Sequence, residues 1–178
     1  MSDITVAGRY AVALFQIAKE QNLINQLEEE LRIVNEVFTN DKELLNFLAH
    51  PKMTSDAKRN LLANAFAGLS SSVQNTLMLM VERHRTGEVT AMAQEFIELA
   101  NEENSVADAT VYTVNPLTEA EAKAVSSAFA AKIGKRNLRI TNVTDSKIIG
   151  GIKLQIGNRI YDGTISGKLD RLSKQLLG

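Results

Sequence analysis

The chain has 178 residues, 44% of them hydrophobic and 23% charged, with no cysteine and a formal net charge of −1. That is an ordinary globular composition, and it excludes disulfides, thiolate metal sites and a cysteine nucleophile. No apolar run approaches the ~20 residues that span a bilayer. The opening Met1-Ser2-Asp3-Ile4 has no basic n-region, no h-region and no Arg-rich transit character, so the expectation is a cytoplasmic protein.

Residues 4 to 104 carry helical periodicity throughout. A first helix is expected over residues 4–21. In a second, residues 23–38, Ile24, Leu27, Leu31, Val34 and Phe38 form one apolar stripe, with Glu28, Glu29 and Glu30 mostly off it on a solvated face. Asn40 followed by Glu43 resembles a capping box and opens a short third helix ending at His50-Pro51. Thr54 and Ser55 can cap a fourth, which runs to Gly68, where a glycine suits the position just past a helix end. A fifth begins in Ser70, Ser71 and Ser72 and stops near Gly87; a sixth covers residues 89–104. Short connections between six helices predict an antiparallel-type bundle.

The pattern then changes. Residues 109–114 are β-rich and end at Asn115-Pro116. Thr118-Glu119-Ala120-Glu121 is a capping box opening a helix to Ile133, closed by Gly134. Leu138 and Ile140 alternate with polar neighbours as a strand, and residues 151–156 and 159–162 flank the two-residue hairpin turn Gly157-Asn158. Ile165, Leu169, Leu172 and Leu176 trace one face of a last helix, which suits either a core or a contact. The order β-α-β-β-α predicts an α+β module. The expected fold is therefore mainly α: an N-terminal six-helix bundle, residues 1–104, followed by a smaller α+β C-terminal domain, residues 105–178.

Charge divides at the same place. Residues 1–104 hold 9 Lys/Arg against 15 Asp/Glu, a net of −6, and residues 105–178 hold 11 against 6, a net of +5. Either the two domains face different partners, or solvated charges have simply segregated. The basic half lacks aromatic interleaving, so nucleic acid is not an expected partner.

Sites for chemistry are missing. Of the two histidines, His50 sits at a helix end and His84 is expected near the end of helix five, on its core side; both read as structural. Gly134-Lys135 and Gly167-Lys168 lack the glycine spacing and the hydroxyl residue of a phosphate-cradling loop, and neither G-x-S-x-G nor G-x-G-x-x-G occurs. Asn142-Val143-Thr144 matches a glycosylation acceptor that is inert without export. No catalytic, cofactor-binding or metal-binding residue is expected, and the function classes left are a connector, a helical adaptor or regulatory module, or an enzyme without a recognisable motif.

Surplus apolar surface is what the sequence offers instead. On helix one, Val6, Tyr10, Ala13 and Ile17 extend the stripe of Ala7, Ala11, Leu14, Phe15 and Ala18 to an arc about 200° wide, roughly twice what one core needs. Helix five has Val73, Leu77, Met80, Val81 and His84 as its stripe, with Leu79 pointing away and Met78 at the margin. Either both helices are packed on every side, or an apolar groove is left to seat a partner's amphipathic helix.

Several blocks of the chain resemble one family. They are Ala7-Gly8-Arg9-Tyr10-Ala11-Val12-Ala13-Leu14-Phe15; Leu44, Phe47, Leu48 and Pro51 followed by Lys58; residues 77–85; and, most specific, Ile148-Ile149-Gly150-Gly151-Ile152, Gly157, Asp162-Gly163-Thr164, Leu169 and Leu172. In order and spacing these are similar to the delta subunit of bacterial F-type ATP synthase and its mitochondrial counterpart, the oligomycin-sensitivity-conferring protein. The chain departs from the family's usual residues at Thr76 (usually apolar), Asn115 (usually small) and Thr164 (more often Ser).

The resemblance implies a non-catalytic stator connector without a cofactor, present as a monomer within the complex and peripheral on the cytoplasmic face of the cell membrane. It implies that the bundle holds the N-terminal helix of an alpha subunit of the catalytic head against helices one and five, where Val6, Tyr10, Ala13, Ile17, Met78 and Leu79 lie. It further implies that the C-terminal domain grips the b-subunit peripheral stalk, so that the head resists rotor torque during proton-driven ATP synthesis. The motif residues Gly150, Gly151, Gly157, Asp162, Gly163, Leu169 and Leu172 read as structural, the glycine pair suiting a tight bend before a strand.

Overall fold

The computed structural model describes residues 2–50 and 53–177. Mainly helical with one small four-stranded sheet, the chain divides into two compact units, Met1–Ala100 and Asn101–Gly178. The first contains α1 (Ser2–Glu20), α2 (Ile24–Asn40), α3 (Lys42–Ala49), α4 (Ser55–Ala65), α5 (Ser71–Glu82), a one-turn 3-10 helix (Thr86–Glu88) and most of α6 (Val89–Glu103).

The apolar stripes of these helices converge on one core. Ala7 and Leu14 of α1, Leu27, Leu31, Val34 and Phe38 of α2, Leu62 of α4, Leu77 and Met80 of α5, and Met92 and Phe96 of α6 are all buried in it. Each large side chain contributes about 1.5–3 kcal/mol by leaving water. Phe15 meets Phe96 edge-on at 5.8 Å, and Phe38 stacks on Phe66 at 6.0 Å.

Helix ends account for most departures from the sequence reading. The third helix is capped by Asp41, whose carboxylate accepts from Leu44 N–H at 2.9 Å, rather than by Asn40. It stops at Ala49, with His50 as its C-cap; Pro51 lies outside the described residues. Thr54 caps α4 as expected, but the helix ends at Ala65 and Gly68 does not adopt a left-handed conformation. Helix five ends at Glu82, before His84. That histidine has φ 56° and is exposed, not on a core face. Its N–H donates to Val81 O at 3.0 Å and that of Arg85 to Met80 O at 2.8 Å, which ties off the last orphan carbonyls. Asn22 closes α1 in the same way at φ 56°.

The acidic triplet is also not a solvated face. Glu29 is exposed, but Glu28 and Glu30 are buried. Arg32 Nη2 donates to Glu28 at 2.8 Å, and Glu30 Oε2 accepts from both the N–H (2.9 Å) and the hydroxyl (2.6 Å) of Ser70. Ser70 is the N-cap of α5 without capping through its own side chain. A buried carboxylate from α2 instead stands at that helix's positive end, where charge-assisted bonds and the dipole both favour it.

The second unit runs β1 (Val106–Thr113), α7 (Glu119–Lys132), β2 (Asn137–Thr144), β3 (Lys153–Ile156), β4 (Arg159–Asp162) and α8 (Ile165–Leu177). The sheet order is β2-β1-β3-β4, with β1 and β2 parallel across α7 and the other pairs antiparallel. In this register Ala109 lies opposite Ile140 and Ile156, and Leu154 opposite Val111 and Tyr161. One sheet face therefore gathers the apolar residues, which form a small core with Phe129 and Ala130 of α7. The Thr118/Glu121 capping box is reciprocal, and the hydrogen bonds from Thr118 hold the Glu121 carboxyl below its usual range. Gly134 closes α7 at φ 69°, and Gly157 takes φ 52° in the hairpin turn. Asn142 is committed inside the fold: it donates to Val111 O and Thr113 Oγ1 and accepts from Leu117 N–H.

Candidate functional site

Two surfaces, one on each unit, carry the residues that the sequence singles out. On the first unit, α1 packs against α5. Ala7, Ala11, Leu14 and Ala18 of α1 point inward and are buried, as are Val73, Leu77, Met80 and Val81 of α5. The surplus stripe of α1 stays partly open: Val6 and Tyr10 are half-buried, Tyr10 against the core margin, while Ala13 is exposed and Ile17 is 41% exposed. Their 4-3-4 spacing puts all four on one strip. On α5, Met78 is half-buried and Leu79 is 40% exposed. Consecutive helical residues diverge by about 100°, so Met78 lies at the margin of the buried stripe and Leu79 points away from it. A shallow depression lined by Gly8, Arg9, Val12, Ala13 and Gln16 adds exposed Val12, which the sequence reading missed because that residue lies beyond the surplus arc.

On the second unit the motif residues build a clasp for the start of α8. Gly151 has φ 83°, and a Cβ there would stand 2.5 Å from Gly163 O; one at Gly150 would stand 2.7 Å from Ile165 Cδ1. Backbone thus meets backbone where a side chain would intervene, and Gly163 N–H donates to Ile152 O at 2.9 Å and Ile165 N–H to Gly150 O at 3.0 Å. The left-handed Gly151 also explains why β3 starts at Lys153 and not at residue 151. The Asp162 carboxylate accepts from the N–H and the hydroxyl of Thr164, at 2.8 and 2.7 Å, and these bonds, the hydroxyl's foremost, lower its pKa. Thr164 Oγ1 accepts in turn from Gly167 N–H at 3.0 Å. The hydroxyl works in both directions, so Thr serves where Ser is the more common residue. A Cβ at Gly167 would lie 2.8 Å from Asp162 Oδ1, so a larger residue there would push this carboxylate aside.

Beyond the clasp, Leu169, Leu172 and Leu176 are 58%, 53% and 85% exposed. The apolar stripe of the last helix is exposed in this structure and is not part of the core. Among the described residues, no group of His, Cys, Asp and Glu side chains could hold a metal ion, and no helix is long and apolar enough to cross a membrane.

The profile of the ATP synthase delta (OSCP) subunit family matches residues 6–176. The chain belongs to that family. It is 51% identical to the ATP synthase subunit delta of Geobacillus sp. (strain WCH70) over 178 residues, covering all of both chains. It is likewise 51% identical to that of Bacillus subtilis (strain 168), covering 100% of this chain and 98% of the relative. Its fold is similar to that of a chain in the cryo-EM structure of the Toxoplasma gondii mitochondrial ATP synthase hexamer, with a TM-score of 0.72, 22% identity and 97% of each chain covered. As a family member it is a structural subunit of ATP synthase and not itself catalytic.

Proposed function

We propose that the chain is the stator connector of an F-type ATP synthase. Its first unit, read as a six-helix bundle over residues 1–104, holds the N-terminal helix of an alpha subunit on the catalytic head. Its second, over residues 105–178, grips the b-subunit peripheral stalk. A shaft turning inside the head transmits torque to it, and static affinity at two places keeps the head still during proton-driven synthesis. No bond is made or broken by this subunit, in keeping with a chain that has no motif for chemistry.

The observation that carries the reading is uncovered apolar surface on both units: Ala13, Ile17 and Leu79 on the first, Leu169, Leu172 and Leu176 on the second. Such surface marks a protein interface when it is contiguous. The acidic and basic halves suit two different partners. In the complex, the chain would sit as a single copy at the cytoplasmic face of the membrane, held there by its partners. The test is affinity purification of the tagged chain from detergent extracts of membranes. Alpha and b subunits are expected to co-purify; recovery of neither, with the bait folded, would leave a generic helical adaptor as the better account.

A further inference from the structure

An uncovered strip of the first unit lies on helices that take no part in the α1/α5 surface. On α2, Ile33, Glu36, Val37 and Asn40 follow one another at a 3-1-3 spacing, and Glu43, Asn46, Phe47 and the C-cap His50 repeat that spacing along α3. Leu31, Val34 and Phe38 of α2 and Leu44 and Leu48 of α3 are buried behind them, so both strips face outward. The two helices pack together, and their strips line two open depressions. One, of about 630 Å³, is bounded by Glu36, Val37, Asn40, Asp41 and Glu43; the other, of about 350 Å³, by Glu43, Asn46, Phe47, His50 and Met53. Glu43 belongs to both, which makes them one trough.

The floor of the trough is apolar. Val37 and Phe47 are half-buried, Met53 is 36% exposed, and Ile33, one turn before Val37, is 52% exposed. Covering these four removes apolar surface from water without touching the core. The rim is acidic. Residues 28–50 hold Glu28, Glu29, Glu30, Glu36, Asp41 and Glu43 against Arg32 and Lys42. Arg32 is bonded to Glu28, and Glu30 stands at the start of α5, whereas Glu29, Glu36 and Glu43 are exposed along the floor. Carboxylates in that position repel anionic lipid and nucleic-acid phosphates and attract Lys and Arg. Apolar residues at helical spacing on two adjoining helices seat the apolar face of a third helix.

We propose that this trough docks one basic amphipathic helix of another subunit of the ATP synthase, with its apolar stripe on Ile33, Val37, Phe47 and Met53 and its lysines and arginines against Glu29, Glu36 and Glu43. The contact is additional to the two of the connector reading and depends on neither.

The experiment puts photoreactive p-benzoylphenylalanine in place of Ile33 in the full-length chain, within assembled ATP synthase, and maps the cross-link by mass spectrometry. A cross-link is expected to a segment of another subunit that is apolar at i, i+3 and i+4 and carries Lys or Arg on its flanks. Glu29→Lys with Glu36→Lys reverses the rim on α2 and should lower the cross-link yield about tenfold or more. Both positions are exposed, so the melting curve of the free chain should stay as it is. Glu98→Lys with Glu102→Lys, two exposed positions on α6, changes net charge by the same amount and should leave the yield unchanged. An equal loss from the α6 pair would show an effect of overall charge and overturn the proposal. So would the absence of a cross-link, a cross-linked segment without basic flanks, a cross-link to a second copy of this chain, or a yield that the α2 reversal does not change.

Discussion

Neighbouring residues on α1 separate partner binding from folding. Leu14 is 1% exposed in the core, whereas Ala13, next along the chain, is exposed. Ala13→Asp is expected to change the melting free energy by about 0.5 kcal/mol or less and to cost binding to an alpha N-terminal peptide about 2–5 kcal/mol, through clash and an unpaired charge. Leu14→Asp buries a charge with no partner and should unfold the domain. Thermal melts paired with peptide titrations check both; a domain melted by Ala13→Asp would mean that α1 is packed all round. At the far end of α5, His84 adopts the left-handed conformation at φ 56°. Glycine takes that conformation without the Cβ clash, at some cost in chain entropy, so His84→Gly should raise stability by about 0.5–1 kcal/mol in a melting curve. Asp162 supplies the pH dependence. Its folded pKa lies below the ordinary 3.8, so its contribution is complete above that value and is lost as pH falls through the folded pKa. The melting-temperature gap between wild type and Asp162→Asn should therefore be flat above about pH 5 and close in stronger acid.

Among elements, legibility followed the range of the interactions that decide each feature. The Thr118/Glu121 box and the Gly157 turn are settled within a few residues, and both form as the sequence reading has them. Glu30 has its partner at Ser70, forty positions away, and a single helical wheel does not show that it caps α5. The last helix was ambiguous for another reason: a stripe such as Leu169, Leu172 and Leu176 reads the same whether its own core or another protein covers it. The close packing of Gly151 on Gly163 explains the glycine pair more fully than backbone freedom does. Gly151→Ala forces both a left-handed Ala and a 2.5 Å approach to a carbonyl, and should cost about 3 kcal/mol or more by denaturant titration. A smaller loss would mean that the backbone relaxes and that the clasp is looser than its geometry indicates.

For the molecule as a whole, the structure divides the chain into compact units between Ala100 and Asn101, within the span of α6, whereas the change of sequence pattern falls near residue 105. Surfaces were legible only in outline. The excess on α1 was visible as an over-wide apolar arc, and so was the outward turn of Leu79 from the stripe of α5, but which of these residues stay uncovered depends on how the helices are turned against one another. The central claim is that one chain holds two partners at once. Its most direct test is sedimentation of the full-length chain with isolated catalytic head and the soluble part of the b subunit, each alone and then together. The account predicts a single ternary complex that forms only when the chain is present. It also predicts that the b-subunit contact, made by the basic half, weakens more with added salt than the head contact does. Mutually exclusive binding of head and b subunit would contradict it.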